Sequence, residues 1–282
     1  MRLNNAIKTI NGNPQLRTGC IMLIILLVIA LLAPILAPHD PYALSDDMVV
    51  APCREYLLGT DGLGRDILSM ILYGARTSLI VGFTAAIIAG IIGTLLGGFA
   101  GYFGGKIDGI IGEMINIFMM MPSFFLILIV VALFGSGLFN VMVVIGLTTW
   151  VGNAKLMRAQ AMSLRQRTFI KAAEAIGENR IKILFKHVIP NGIFPIVANT
   201  TMGISGAILT ESSLAFLGLG DPNIISWGQI IQNGKSYLVN GWWMCVFAGL
   251  AIIFTVITFY LIGDGLNRVL SPKLSKVMFF TM

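Results

Sequence analysis

The chain is poor in the residues that soluble proteins and enzymes depend on. Only 11% of its 282 residues are charged, where a soluble globular domain carries about 25%. It has two histidines, His39 and His187, and three cysteines, Cys20, Cys53 and Cys245. The histidines fall on opposite sides of a membrane in the topology given below. That leaves no Ser–His dyad, no two-His metal site and no HExxH arrangement, so no catalytic residue is assigned and an intramembrane enzyme is disfavoured. The cysteines lack metal-ligand spacing, and no metal site is expected. Cys53 and Cys245 lie on one side, so a disulfide between them stands beside the simpler reading of free thiols. Gly101 to Lys106 only imitates a phosphate loop, because Ala100 sits where that motif needs its first Gly and Ile107 follows the Lys. With Glu113, Glu211 and Asp264 as the few acids in or beside the apolar stretches, a proton relay is thinly supplied.

What the chain has in quantity is apolar surface: 56% hydrophobic residues and a mean hydropathy of +0.87. Six stretches read as spans of the roughly 30 Å of bilayer hydrocarbon, near Gly19–Ala37, Ser78–Phe103, Ile110–Phe134, Leu138–Gly152, Gly192–Leu217 and Trp243–Leu266. The fourth is short and the fifth is polar. The expected fold is an all-α polytopic membrane protein of six transmembrane helices over 19–266, with tails at 1–18 and 267–282. With both termini inside, the cytoplasmic side collects fifteen Lys/Arg, namely Arg2, Lys8, Arg17, Lys106, eight in an insert at 153–191, and Arg268, Lys273 and Lys276. The outer side has four, Arg54, Arg65, Arg76 and Lys235. That bias sets the orientation under the positive-inside rule and accounts for the net charge of +6 without nucleic acid. Pro34 and Pro38 flank the one site where the first stretch would be cleaved as a signal peptide, so it reads as a retained helix.

Three spans carry distinct signals. In the second, Ala85, Ala89, Gly93, Gly97, Gly101 and Gly105 recur every fourth residue. Such a ladder lets helices approach closely in lipid, and Ala89, Gly93, Gly97 and Gly101 are taken as the packing face. The fifth is too polar to face lipid all round: Asn199, Thr200, Gly203, Ala207 and Glu211 are the candidate translocation path. A buried charge in a span usually faces a bundle interior or a wet cavity, so Glu211 either lines the path or hydrogen-bonds a neighbouring helix. In the third, Met119, Met120 and Met121 precede Pro122, with Phe124 beyond. A proline bends a helix and flexible Met side chains adapt to their surroundings. These four residues form a candidate gate or ordinary core.

Two outer segments, 38–77 and 218–242, are rich in turn residues and aromatic rings, as befits a docking surface for a soluble delivery protein or a pair of lids. The insert between Lys155 and Pro190 holds eight Lys/Arg, two acids, Ala172-Ala173, Gly177 and Pro190. It reads as two short helices broken at Gly177 and stopped by Pro190. Such an element either fits a groove on a cytoplasmic partner or lies on anionic membrane lipid. At this level a channel or secondary transporter working alone is still open.

Ala172-Ala173, Gly177 and Pro190 resemble the EAA signature of bacterial ABC-importer permeases, with Gly thirteen residues before Pro. Lys171 stands where that motif has Glu, His187 where it has Ile, and Ile189 where it has Leu. Leu58–Asp66 resembles the LGTDxLGRD segment, and Glu211–Gly220 with Trp227-Gly228 the ExSLxFLGLG…WG segment, of the second permease in dipeptide, oligopeptide and nickel importers. The resemblance implies a multi-pass subunit of the bacterial inner membrane. Its implied partners are a homologous permease in a heterodimer, two ATPase subunits and an extracytoplasmic solute-binding protein. ATP and Mg would bind in the partner subunits and no cofactor in this chain. Ala172, Ala173, Glu174, Gly177 and Pro190 are the expected coupling residues, with Glu174 the nearest acid to the missing motif Glu. Peptides, nickel and metal chelates all remain as cargo.

Overall fold

A computed structural model describes residues 12–270. The outermost cations of the charge count, Arg2, Lys8, Lys273 and Lys276, lie outside the described residues.

The first helix, α1 (Pro14–Leu36), starts where Asn13 accepts hydrogen bonds from the Gln15 and Leu16 amides. The second, α2 (Ile67–Phe103), has 37 residues. It begins eleven positions before the expected span because Asp66 caps it, accepting from the Ser69 amide at 2.9 Å. The outer segment is correspondingly shorter than 38–77. Gly104 and Gly105, at φ +68° and +54°, turn the chain into α3 (Gly105–Met120), so Gly105 lies outside the ladder. α3 meets α4 (Ser123–Phe134) at an angle of 86°, where Pro122 cannot supply a helical N–H. The third expected span is thus two helices at an elbow.

The fourth expected span is the 11-residue α5 (Leu138–Thr148), about 16 Å long, which steps through Thr149-Trp150 into α6 (Val151–Arg165). α6 was assigned to the surface insert but packs in the bundle: Asn153 is 4% exposed, and Ala154, Met157 and Ala161 are fully buried. Its cations sit on the other face, where Arg158 pairs with Asp108 of α3 through two hydrogen bonds of 2.5 and 2.8 Å.

The insert proper is α7 (Thr168–Ala175), α8 (Arg180–Ile183), a π-turn over Leu184–Val188 and α9 (Ile189–Gly192). Pro190 does not stop this run. It lacks the N–H that a regular turn would use; the widened turn instead bonds the Ile189 amide to the Leu184 carbonyl, and the Asn191 side chain donates to the His187 carbonyl at 2.6 Å. The break comes three residues later, where the run meets α10 (Phe194–Phe216) at 63°. A short α11 (Trp227–Gly234) and the long α12 (Trp242–Leu270) complete the fold.

Helices α1, α2 and α12 are each long and apolar enough to cross a membrane, and counting each bent pair as one span brings the number to five. α12 returns along α10, with Gly263 against Met202 and Ala198, and Asn13 of α1 reaches the Gly265 carbonyl. Both ends of the described chain therefore lie at the same end of the bundle as the insert. The other end is closed by residues 38–66, where Trp243 donates to the Thr60 carbonyl at 3.1 Å.

Candidate translocation and coupling sites

The small-residue ladder of α2 lies against α6. A Cβ built on Gly93 would meet Asn153 and the Trp150 carbonyl, one on Gly97 the Ala154 carbonyl, and one on Gly101 the Arg158 carbonyl. Ala89, 4% exposed, packs with Trp150 and Ala154 in the same cluster. The opposing face, Asn153, Ala154, Met157 and Ala161, was legible between the cations of α6 but was missed there, because the charge density suggested solvent on every side.

The path candidates on α10 separate. Asn199 is half-buried and donates to the Asn153 side chain at 2.9 Å, tying α10 to α6. Thr200 packs against Gly90 of α2, and Gly203 is exposed with none of the described residues beside it. Ala207 and Glu211 are 5% and 4% exposed, and Glu211 accepts from Ser212 Oγ at 3.3 Å inside the packed chain. Glu211 is thus enclosed by the packed chain, and this hydrogen bond comes from the next residue of its own helix. The reason is periodicity. Steps of four residues overshoot a helical turn by about 40° each, so a stripe that is half-buried at Asn199 and open at Gly203 has turned inward by Glu211. The open face follows alternating steps of four and three: Asn199, Gly203, Gly206, Thr210 and Ser213. Gly206, like Gly203, has open space beside it among the described residues. The Thr210 and Ser213 hydroxyls donate to carbonyls of their own helix at 2.8 Å, leaving a small, uncharged surface.

The gate candidates sit at the α3–α4 elbow. Met119, Met120 and Met121 are exposed, Met120 at 84%, while Phe124 packs on the cluster of Ile127, Val131 and Val141. The methionines are thus not core of this chain.

At the insert, Ile170 and Ala173 anchor α7 to Tyr102, Met157 and Leu184, and Ala172 is exposed. The helix ends in a Schellman arrangement, with the Gly177 amide donating to Glu174 O and the Glu178 amide to Ala173 O, both at 3.1 Å. That places Gly177 at φ +77°, with open space beside it. Glu174 is exposed, and its Oε1 accepts from the buried Tyr102 hydroxyl at 3.0 Å. Glu178 is engaged by Lys182 at 3.2 Å, Lys186 at 3.8 Å and His187 at 3.0 Å. Hydrogen bonding from Lys182, helped by His187, holds its carboxyl below the usual range against a smaller effect of desolvation.

The two further motifs are packing devices. In Leu58–Asp66, Gly59 lies on the Trp243 ring and Gly62 on Tyr237, while Asp61 binds Arg65 through Nε at 2.8 Å. Trp227 donates to the Ile71 carbonyl at 3.0 Å, and Gly228 lets α11 touch Ser212 of α10. The three cysteines are free thiols.

Known proteins share this arrangement. The family described as binding-protein-dependent transport system inner membrane component matches residues 93–276, and the N-terminal TM domain of oligopeptide transport permease C matches residues 11–52. The dipeptide transport system permease protein DppC of Escherichia coli K12 is 38% identical, covering 92% of this chain and 89% of that protein. DppC of Alkalihalophilus pseudofirmus is 37% identical over 96% and 90%, and the probable D,D-dipeptide permease DdpC of E. coli K12 is 35% identical over 94% and 89%. A chain of the MetNI methionine ABC transporter, in an inward-facing conformation, superposes with a TM-score of 0.57 at 18% identity, covering 73% of this chain and 97% of that one, which supports the shared fold. The chain belongs to the family of binding-protein-dependent transport system inner membrane components, the non-catalytic membrane permeases of ABC importers.

Proposed function

We propose that this chain forms one half of the translocation path of a peptide importer. It pairs with a homologous permease, receives cargo from an extracytoplasmic binding protein and is driven by two ATPase subunits that bind ATP and Mg²⁺. The observation that carries this reading is the open face of α10. Gly203, Gly206, Thr210 and Ser213, with the half-buried Asn199 at one end, present a small, weakly polar surface on an otherwise apolar bundle, and none of the described residues covers Gly203 or Gly206. In lipid such a face is poorly used, since small residues gain little against acyl chains and much against another helix or a wet path. A second permease opposite it would enclose a path whose walls bind no cargo group strongly, suited to cargo of varied side chains. Met119, Met120 and Met121, exposed at the elbow, would lie at the edge of that path as its flexible gate.

Orientation follows from the charge bias: both termini and the insert are cytoplasmic, and the cap at 38–66 faces outward with α11. Peptides are the favoured cargo because the relatives named above are dipeptide permeases. The test is reconstitution of this chain with the homologous permease, ATPase subunits and binding protein of its own system in proteoliposomes. ATP-dependent uptake of a labelled dipeptide is expected, lost on omitting any one component and unaffected by a nickel chelate. Uptake without ATPase subunits, or competition by nickel but not by peptides, would overturn the reading.

A further inference from the structure

The two acids of the insert each have partners within the chain, Glu174 while exposed and Glu178 while half-buried, whereas some of its cations have none among the described residues. Glu174 is turned to Tyr102, and Glu178 is surrounded by Lys182, Lys186 and His187. Arg180 lies over the Phe103 ring. Arg167 and Lys171, both exposed, have no ion-pair partner among the described residues. On α7 the buried positions are Ile170 and Ala173, so the outward face is centred on Ala172 and Ala175. Lys171 flanks that centre on one side, with Phe169 and Ile176, 46% and 83% exposed, on the other.

From this we infer that the ATPase cleft receiving α7 has an apolar floor and carries a carboxylate opposite Lys171, so that Lys171 selects the partner by charge. The inference rests on the proposed function, which makes an ATPase subunit the occupant. An anionic membrane surface is the other occupant with matching charge. It fits less well, because helices that lie in lipid place bulky apolar side chains at the centre of the buried face, and here the centre is alanine with the bare backbone of Gly177 beside it. A flush centre with a cation at its edge suits a rigid cleft. Charge at such an edge governs specificity and association more than total affinity, and like charges placed together are strongly unfavourable.

The experiment uses the importer purified with its own ATPase subunits and then returned to vesicles. Lys171→Glu is expected to cut ATPase retention and uptake by about tenfold or more, and Lys171→Gln by only a few-fold. A carboxylate-to-Lys change in the ATPase cleft should rescue Lys171→Glu and harm the unaltered permease. Because Lys171 is exposed and unpaired among the described residues, the yield and gel-filtration profile of these variants should not change. Full retention and uptake by Lys171→Glu would overturn the inference. So would a defect that depends on the anionic lipid content of the vesicles while the ATPase subunits stay bound. Ala172→Trp separates this from the parent reading: if that bulky change leaves the ATPase subunits attached, α7 is not the docking element at all.

Discussion

Helices α2 and α10 both carry small residues at four-residue spacing, and they use them in opposite ways. On α2, Gly93, Gly97 and Gly101 are filled to contact by the backbone of α6. On α10, Gly203 and Gly206 meet none of the described residues. A row with steps of four winds slowly round its helix, and only a partner crossing at the matching angle can follow it. α6 does so along α2. Among the described residues no helix does so along α10, and the row divides into an open Gly203 and a buried end at Ala207 and Glu211. Small residues therefore announce a close approach without saying to what. The contrast separates surface that holds the chain together from surface that waits for another.

The sharpest way to break this contrast is to enlarge one glycine on each helix. Gly97→Leu drives a side chain into the Ala154 carbonyl and the Arg158 amide, which are backbone atoms and cannot rotate away. Even smaller overpacking costs about 1–3 kcal/mol. The expected result is loss of a monodisperse, folded protein in detergent, with uptake abolished. Gly206→Leu enters open space, so thermal stability of the isolated chain should stay near wild type while uptake in the assembled importer falls by an order of magnitude or more. If Gly206→Leu unfolds the isolated chain, or Gly97→Leu leaves it stable, the assignment of inner and outer surfaces is reversed.

How much of this could be read from the sequence depends on whether a signal is local. The ladder of α2, the proline elbow at Pro122 and the helix break at Gly177 are local, and each appears at its place. The burial of α6 is not. Lys155, Arg158 and Arg165 suggest a solvated loop, and only the Asp108–Arg158 pair and the glycines of a distant helix make burial of the other face affordable. Glu174 was expected to face a partner because it is the nearest acid to Lys171. Its orientation depends on Tyr102, a residue of α2 that no sequence spacing links to the insert. Pro190 was read as a stop, whereas a π-turn can absorb a proline at a helix that must continue into the membrane. On α10 a row with four-residue steps runs from the open face into the packing, whereas alternating steps of four and three keep to one face.

The same inside–outside division recurs within the insert, at smaller scale. Tyr102→Phe removes the hydroxyl that holds Glu174 while leaving the ring in the core. With its side chain fully buried and its partner partly exposed, the protein should fold normally, since one neutral donor to a carboxylate contributes about 1.5–3 kcal/mol at most. The expected change is in transmission: the ratio of peptide imported to ATP hydrolysed should fall several-fold at nearly unchanged ATPase binding. A variant with wild-type coupling would make the Tyr102–Glu174 contact a structural detail and leave transmission to the apolar contacts of Ile170 and Ala173.

The smallest effect belongs to Glu178, whose partners lie at the exposed surface. Its carboxyl is held below the usual carboxylate range chiefly by Lys182, so its ionised form is favoured by the folded insert. A group shifted down stabilises the fold above its unfolded pKa, near 4.3, and loses that contribution as pH falls through the lower folded value. The tether from Glu178 to Lys182, Lys186 and His187 should therefore persist at neutral pH and weaken only in acid. Amide-exchange protection across 176–188, taken relative to the intrinsic rate at each pH, should stay high from pH 7 downward and fall only at the acid end. Glu178→Gln should show lower protection at neutral pH, with little dependence on pH. Equal exchange in both proteins at neutral pH would mean that the π-turn and the packed Leu184 and Val188 hold this segment unaided. The outward charge of the insert would then owe nothing to the inward pairing of its acids.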